Sequence, residues 1–152
     1  YPYLGGNYHV THHSQFINEL ISSEKISSKK CKKQRVAYHD SCYLGRINEE
    51  YDAPRRIIKK ILDEEGKLVE MQRNKKKSFC CGAGGGNMWH EIDKGERINL
   101  NRLQETIDSG ADTVATACPF CMIMIGDAIK LKGKEESMEI LDIAEMVAQE
   151  LN

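Results

Sequence analysis

Five of the six cysteines in this 152-residue chain fall into three groups whose spacing could do chemistry. Cys42 stands alone. Thirty-seven residues separate it from the adjacent pair Cys80 and Cys81, and thirty-six more lead to Cys118 and Cys121, a C-x-x-C. The pair runs directly into Gly82-Ala83-Gly84-Gly85-Gly86, four glycines in five positions. Adjacent thiols point different ways and do not share one packed core. Glycines allow positive φ and a tight fold of the backbone around something close by. Sulfur donors on a chain able to wrap suggest a thiolate-bound metal centre. Five thiolates are one more than tetrahedral zinc needs, and cubane iron–sulfur clusters also usually take four. The count therefore favours an iron–sulfur cluster, either of an unusual type or with one thiol held free. Two alternatives stay open here: structural zinc on four of the five, and dithiol–disulfide chemistry at Cys118 and Cys121 alone.

The elements that must position these cysteines can be read from apolar period and turn signals. Phe16, Ile17, Leu20 and Ile21 form a helical stripe, with Thr11 or Ser14 as its cap. Arg35 to His39 is a short β-prone run leading into Cys42, followed by a loop from Tyr43 to Asn48. Asp52 is expected to cap a helix with Pro54 in its first turn, Ile57, Ile58, Ile61 and Leu62 inward, and Gly66 as its stop. Lys67 to Met71 reads as a second strand. The longest helix is expected from about Trp89 to Ser109, with Ile92, Leu100, Leu103 and Ile107 near one face and Gly110 ending it. Asp112 to Ala117 suits the middle of a sheet. Cys118-Pro119 then opens another helix, because proline at the first helical position leaves no N–H unpaired. Met138 to Leu141 is a last short strand. Asp142 and Glu145 look like a capping box, with Ala144, Val147 and Leu151 inward.

The order is one helix, then strand and helix four times over. It predicts a single α/β domain with a mostly parallel four-stranded sheet, helices on both faces and right-handed crossovers. The expected division is a linker and helix over 1–33 and a cysteine-rich α/β domain over 34–152. Sites in open sheets of this kind lie beyond the carboxyl ends of the strands, and Cys42, Cys80, Cys81 and Cys118 each follow a predicted strand end. Five cysteines from three segments are thus expected at one edge. At a helix start, Cys118 gains free N–H groups that favour its thiolate.

Composition excludes several classes. A net charge of −1 argues against nucleic acid and membrane surfaces as partners. Apolar runs are too short to span a bilayer. Six cysteines in a chain with 30% charged residues and no export signal suggest a reducing, cytoplasmic setting. The chain reads as a piece of a longer protein, opening on linker-like Tyr1 to Gly6. Cys31, between Lys29-Lys30 and Lys32-Lys33, reads as a surface thiol. His12 and His13 read as a solvated helix start. His39 either donates a hydrogen bond to a cluster sulfur or simply ends its strand. Arg46 either faces an anionic centre or makes a surface ion pair. The lysines at 75–77 border the site and could dock an acidic electron-transfer partner. Gly82 and Gly84 are candidate N–H donors to a cluster, and Met88 and Trp89 are expected in the core or at its rim.

The strings His39-Asp40-Ser41-Cys42-Tyr43-Leu44-Gly45-Arg46, Cys80-Cys81-Gly82-Ala83-Gly84-Gly85-Gly86 and Ala117-Cys118-Pro119-Phe120-Cys121 resemble the cysteine-rich CCG domain of heterodisulfide reductase-type proteins. That domain also occurs in iron–sulfur subunits of glycolate oxidase, anaerobic glycerol-3-phosphate dehydrogenase and lactate-utilisation proteins. The resemblance runs from Val36 to Leu151. It is nearest to the second, C-terminal CCG domain of membrane-linked iron–sulfur oxidoreductases, which pass electrons between electron-transfer flavoprotein and quinone. It implies a non-cubane [4Fe-4S] cluster on Cys42, Cys80, Cys81, Cys118 and Cys121, with reduction of a disulfide or quinone-type acceptor. Some domains of the family hold zinc. It also implies an upstream iron–sulfur domain in the parent chain, and a place at the inner face of the membrane through that parent. Ser41 stands where proline is common, which loosens the loop and removes no ligand.

Overall fold

The computed structural model describes residues 2–26, 34–90 and 95–151. Cys31 and Ile92 lie outside the described residues. Helix α1 spans His13–Ser22, and strand β1, Arg35–Tyr38, begins the sheet. Then follow α2 (Asp52–Ile61), β2 (Lys67–Val69), α3 (Ile98–Asp108), β3 (Thr113–Thr116), α4 (Pro119–Leu131), β4 (Glu139–Asp142) and α5 (Ile143–Glu150). The sheet is parallel throughout, in the order β2-β1-β3-β4, with Val36 opposite both Leu68 and Thr113.

The pleat sorts the core into two layers. Val36, Tyr38 and Ala115 face Ile57, Ile58 and Ile61 of α2 and Ile143, Met146 and Val147 of α5, with Ile17 and Ile21 of α1 outside them. Val114 points the other way, among Leu103 of α3 and Ile125, Ala128 and Ile129 of α4. Helices thus cover both faces, and β3 is buried along its whole length. Strand order reverses between β1 and β3, the position where a crevice opens beyond the strand ends.

Several local expectations change. His12, rather than Thr11 or Ser14, caps α1, in a reciprocal box with Gln15. Phe16 turns outward at 53% exposure. Residues Tyr43–Ile47 form one π-helical turn instead of an irregular loop. Tyr51 occupies the cap position of α2 and Glu50 accepts from the Asp52 and Ala53 N–H groups, so Asp52 is already helical. That helix stops at Ile61, five residues before Gly66. Of the helix expected from Trp89, residues 91–94 lie outside the described residues; His90 is extended, Gly95 has a φ of 83°, and helix α3 begins at Ile98. The longest helix among the described residues is therefore α4. In α5 the buried face is Ile143, Met146, Val147 and Glu150, while Ala144 is exposed. No helix among the described residues is long and apolar enough to cross a membrane.

Candidate metal centre

Each cysteine group sits where a strand hands over to the next element. Cys42 lies four residues past β1 and starts the π-helical turn. Cys80 and Cys81 end the segment from β2, beyond the 3-10 turn Lys75–Lys77. Cys118 caps α4, and Cys121 lies one turn inside it. Cys42, Cys80, Cys81 and Cys121 line one narrow cleft, with His39, Asp40, Arg46 and Phe79. Cys118 joins from the side through its hydrogen bond with Cys121. The thiols of Cys81 and Cys121 are buried, Cys80 and Cys118 are half-buried, and Cys42 is exposed. None of these five forms a disulfide.

The sulfurs contact one another. Cys121 donates to Cys81, and Cys80 donates to it as well, holding the Cys81 thiol far below its ordinary range. The two donors are pushed up in return. The same Cys121 S–H, shared between Cys81 and Cys118, brings the Cys118 pKa down to about 6, helped by the N–H groups of Cys121 and Phe120 at the start of α4. In metal-free protein, iodoacetamide labelling of Cys118 should thus rise through about pH 6. In urea-unfolded protein it should rise through about pH 8.5, the ordinary thiol value. Peptide mass mapping across a pH series separates the two, and coincident curves would remove the local effect.

The glycine-rich segment supplies backbone donors. Gly82 N–H lies 3.3 Å from the Cys80 sulfur, Gly84 N–H also reaches Cys80, and Ala83 N–H reaches Cys81. Gly82 has φ of 95°, and a Cβ there would meet Ile98 Cβ at 3.2 Å and Met124 Cε at 3.3 Å. Both the dihedral and the space call for glycine. Gly85 and Gly86 have open space around them and serve the turn alone.

The other singled-out residues divide. Arg46 lines the cleft and donates to the Ser78 carbonyl, which fastens the Cys42 turn to the Cys80 segment. His12 is half-buried: its Nδ1 accepts from Ser14 N, and it also bonds to the Ala117 backbone beside Cys118. It is therefore a docked cap and not a solvated histidine. Lys75, Lys76 and Lys77 are exposed, and Lys76 pairs with Glu49 at 3.3 Å. Trp89 is 79% exposed, outside the core. A groove of about 710 Å³ runs along Cys118 between Val10, His12, Tyr43 and Phe120.

Sequence reasoning missed two buried charge clusters behind the cleft. Arg55 forks onto Asp40 at 2.7 and 2.8 Å and onto Glu70 at 2.7 and 2.9 Å. Arg102, without exposed surface, meets Glu105 and His39. Their signal is a charge inside an apolar stripe: Arg55 lies three residues before Ile58, and Arg102 sits beside Leu103.

The donor set fits a soft metal centre. Every thiol at the cleft is free, and the carboxylate that lines it, Asp40, is taken up by Arg55 and the Lys75 N–H. Thr116 Oγ1 is also buried without a hydrogen-bond partner, two residues before Cys118 at the end of β3. Such an orphaned hydroxyl is unusual in a native interior.

The chain is similar to known iron–sulfur proteins. The chain is 40% identical over 149 residues to a probable iron–sulfur-binding oxidoreductase, FadF, of Bacillus subtilis, covering 98% of the chain and 21% of that protein. It is 38% identical over 154 residues to the EtfAB:quinone oxidoreductase of Syntrophomonas wolfei, covering 97% and 21%. A subunit of the dihydromethanophenazine:CoB–CoM heterodisulfide reductase of Methanosarcina barkeri is 34% identical over 144 residues, covering 95% and 34%. The chain thus spans a fifth to a third of the length of these relatives. The family model for the CCG cysteine-rich domain matches residues 36–126. With that match over more than half of its length, carrying all five clustered cysteines, this chain belongs to the CCG cysteine-rich domain family.

Proposed function

We propose that this chain is the iron–sulfur, electron-transferring domain of a larger oxidoreductase. In this reading Cys42, Cys80, Cys81, Cys118 and Cys121 hold a [4Fe-4S] cluster, of the non-cubane kind because five cysteines gather at one place, four lining the cleft and Cys118 beside Cys121, where a cubane usually takes four. The observation that carries the proposal is the mutual contact of sulfurs from the ends of β2 and β3, with Cys42 from the end of β1 lining the same cleft. When bound, such a cluster supplies one-electron chemistry.

The chain's own residues then do three things. Cys81 and Cys118 present thiolates near neutral pH and need lose no proton on binding, whereas the Cys80 and Cys121 thiols give theirs up. Gly82, Ala83 and Gly84 aim N–H groups at sulfur, which steadies negative charge. Cys42 and the Cys118 groove leave one side open to a redox partner. That partner is an upstream iron–sulfur domain of the parent protein. Electrons exchange onward with a flavoprotein or quinone, as the name of the Syntrophomonas relative suggests. A disulfide acceptor at the groove is the corresponding reading from the Methanosarcina relative.

Anaerobically prepared protein should be brown, with about four irons and four acid-labile sulfides per chain. Colourless protein carrying one zinc and no sulfide would overturn the proposal.

A further inference from the structure

His39 and Arg102 lie deeper than any group the proposed cluster needs as a ligand. Both are fully buried, at 1% and 0% exposure. Arg102 Nε stands 2.9 Å from His39 Nδ1, joining residues 63 apart in sequence. A guanidinium has donors only, so Nδ1 must be the acceptor. The imidazole is then neutral with its proton on Nε2; the ring also hydrogen-bonds the Cys81 sulfur, and with Nδ1 taken up by Arg102 the Nε2–H is the donor. His39, Cys81 and Cys121 bring their donor atoms within 4.8 Å of one another.

Arg102 is itself held on all sides. One terminal nitrogen donates to the Glu105 carboxylate and, at 2.8 Å, to the Arg73 carbonyl. The other reaches Ser78 Oγ at 3.4 Å. Glu105 also pairs with Arg73, whose guanidinium stacks 3.7 Å over the Phe79 ring, next to Cys80. Filling this space would need only an apolar side chain. Burying an ion pair there is costly, and its specific result is one fixed imidazole tautomer.

We propose that Arg102 and His39 form a positioning pair that presents a single N–H to the Cys81 sulfur and thereby raises the reduction potential of the cluster. The inference rests on the cluster reading above. An N–H to a ligating thiolate stabilises the reduced, more negative state more than the oxidised one. The buried positive charge of Arg102 acts in the same direction.

The test is a redox titration of the holoprotein with His39→Leu and His39→Gln, alongside iron and sulfide analysis. His39→Leu keeps its iron, and its reduced-to-oxidised ratio at fixed ambient potential falls about tenfold, which is about 59 mV for a one-electron couple. His39→Gln retains an amide donor and stays near the wild type. A His39→Leu protein with a full cluster and unmoved potential overturns the pair while leaving the cluster reading intact. Wild-type protein without iron and sulfide overturns both. If His39→Leu does not fold, pulsed EPR on wild-type holoprotein labelled with ¹⁵N-histidine decides. One histidine nitrogen coupled to the reduced cluster, and lost in His39→Gln, is expected. Absence of any such coupling overturns the proposal.

Discussion

Changing Cys81 to serine should remove the cluster almost entirely. Iron should fall from about four per chain to well below one in anaerobically prepared protein. Cys81 is the hub of the cleft: Cys80, Cys121, His39 and the Ala83 N–H all direct hydrogen bonds to its sulfur. It is also 5% exposed. A serine there offers a hard, poorly ionised oxygen to a centre that wants a thiolate, and no water or loose side chain can take its place. Cys42→Ser should behave differently. Cys42 is exposed and sits on the short π-helical turn at the rim. Four thiolates would remain, enough for a cubane. That variant should therefore hold iron while its electronic absorption and EPR spectra change to those of a conventional cluster. Equal iron loss in the two variants would argue against a hub at Cys81. An unchanged spectrum in Cys42→Ser would remove Cys42 from the ligand set.

The cysteines were legible because chemistry restricts their spacing, and because one strand–helix unit separates each group. The parallel sheet was legible from the alternation of strands and helices, and the burial of β3 because Thr113–Thr116 offers only small and β-branched residues. Other features were hidden for identifiable reasons. The helix expected from Trp89 is interrupted at His90, which is extended, and at Gly95, with a φ of 83°, and apolar period alone does not weigh those costs. The face of α5 turned because Ile143, Met146 and Val147 offer more apolar surface to the core than Ala144 does. Charge partners were the least visible. Arg102 needs His39, from the end of β1, and Glu105, from its own helix. Nothing in the local sequence announces a contact across 63 positions.

The same hidden chemistry makes Asp40 a structural weak point. Asp40 is 3% exposed; its carboxylate receives both terminal nitrogens of Arg55 and accepts from the Lys75 N–H at 2.7 Å. Its carbonyl accepts from Ser78 Oγ at 3.0 Å. One residue thus ties the end of β1 to α2 and to the segment that delivers Cys80 and Cys81. Asp40→Ala leaves Arg55 buried with Glu70 and the Tyr51 carbonyl as its partners, and unpairs the Lys75 N–H. Breaking a buried pair costs about 3–5 kcal/mol. Glu70 still holds the Arg55 fork at 2.7 and 2.9 Å, so the lower end, about 3 kcal/mol, is expected. Glu70→Ala should cost only about 1 kcal/mol, because its side chain is 38% exposed and water replaces it. With a urea slope of about 2 kcal/mol/M, the Asp40→Ala midpoint should drop by about 1.5 M. The reverse order of the two variants would show that Asp40 is not the pivot. Because the Asp40 substitution also releases the approach to Cys80, its iron loading should fall with its stability, while Glu70→Ala should load like the wild type.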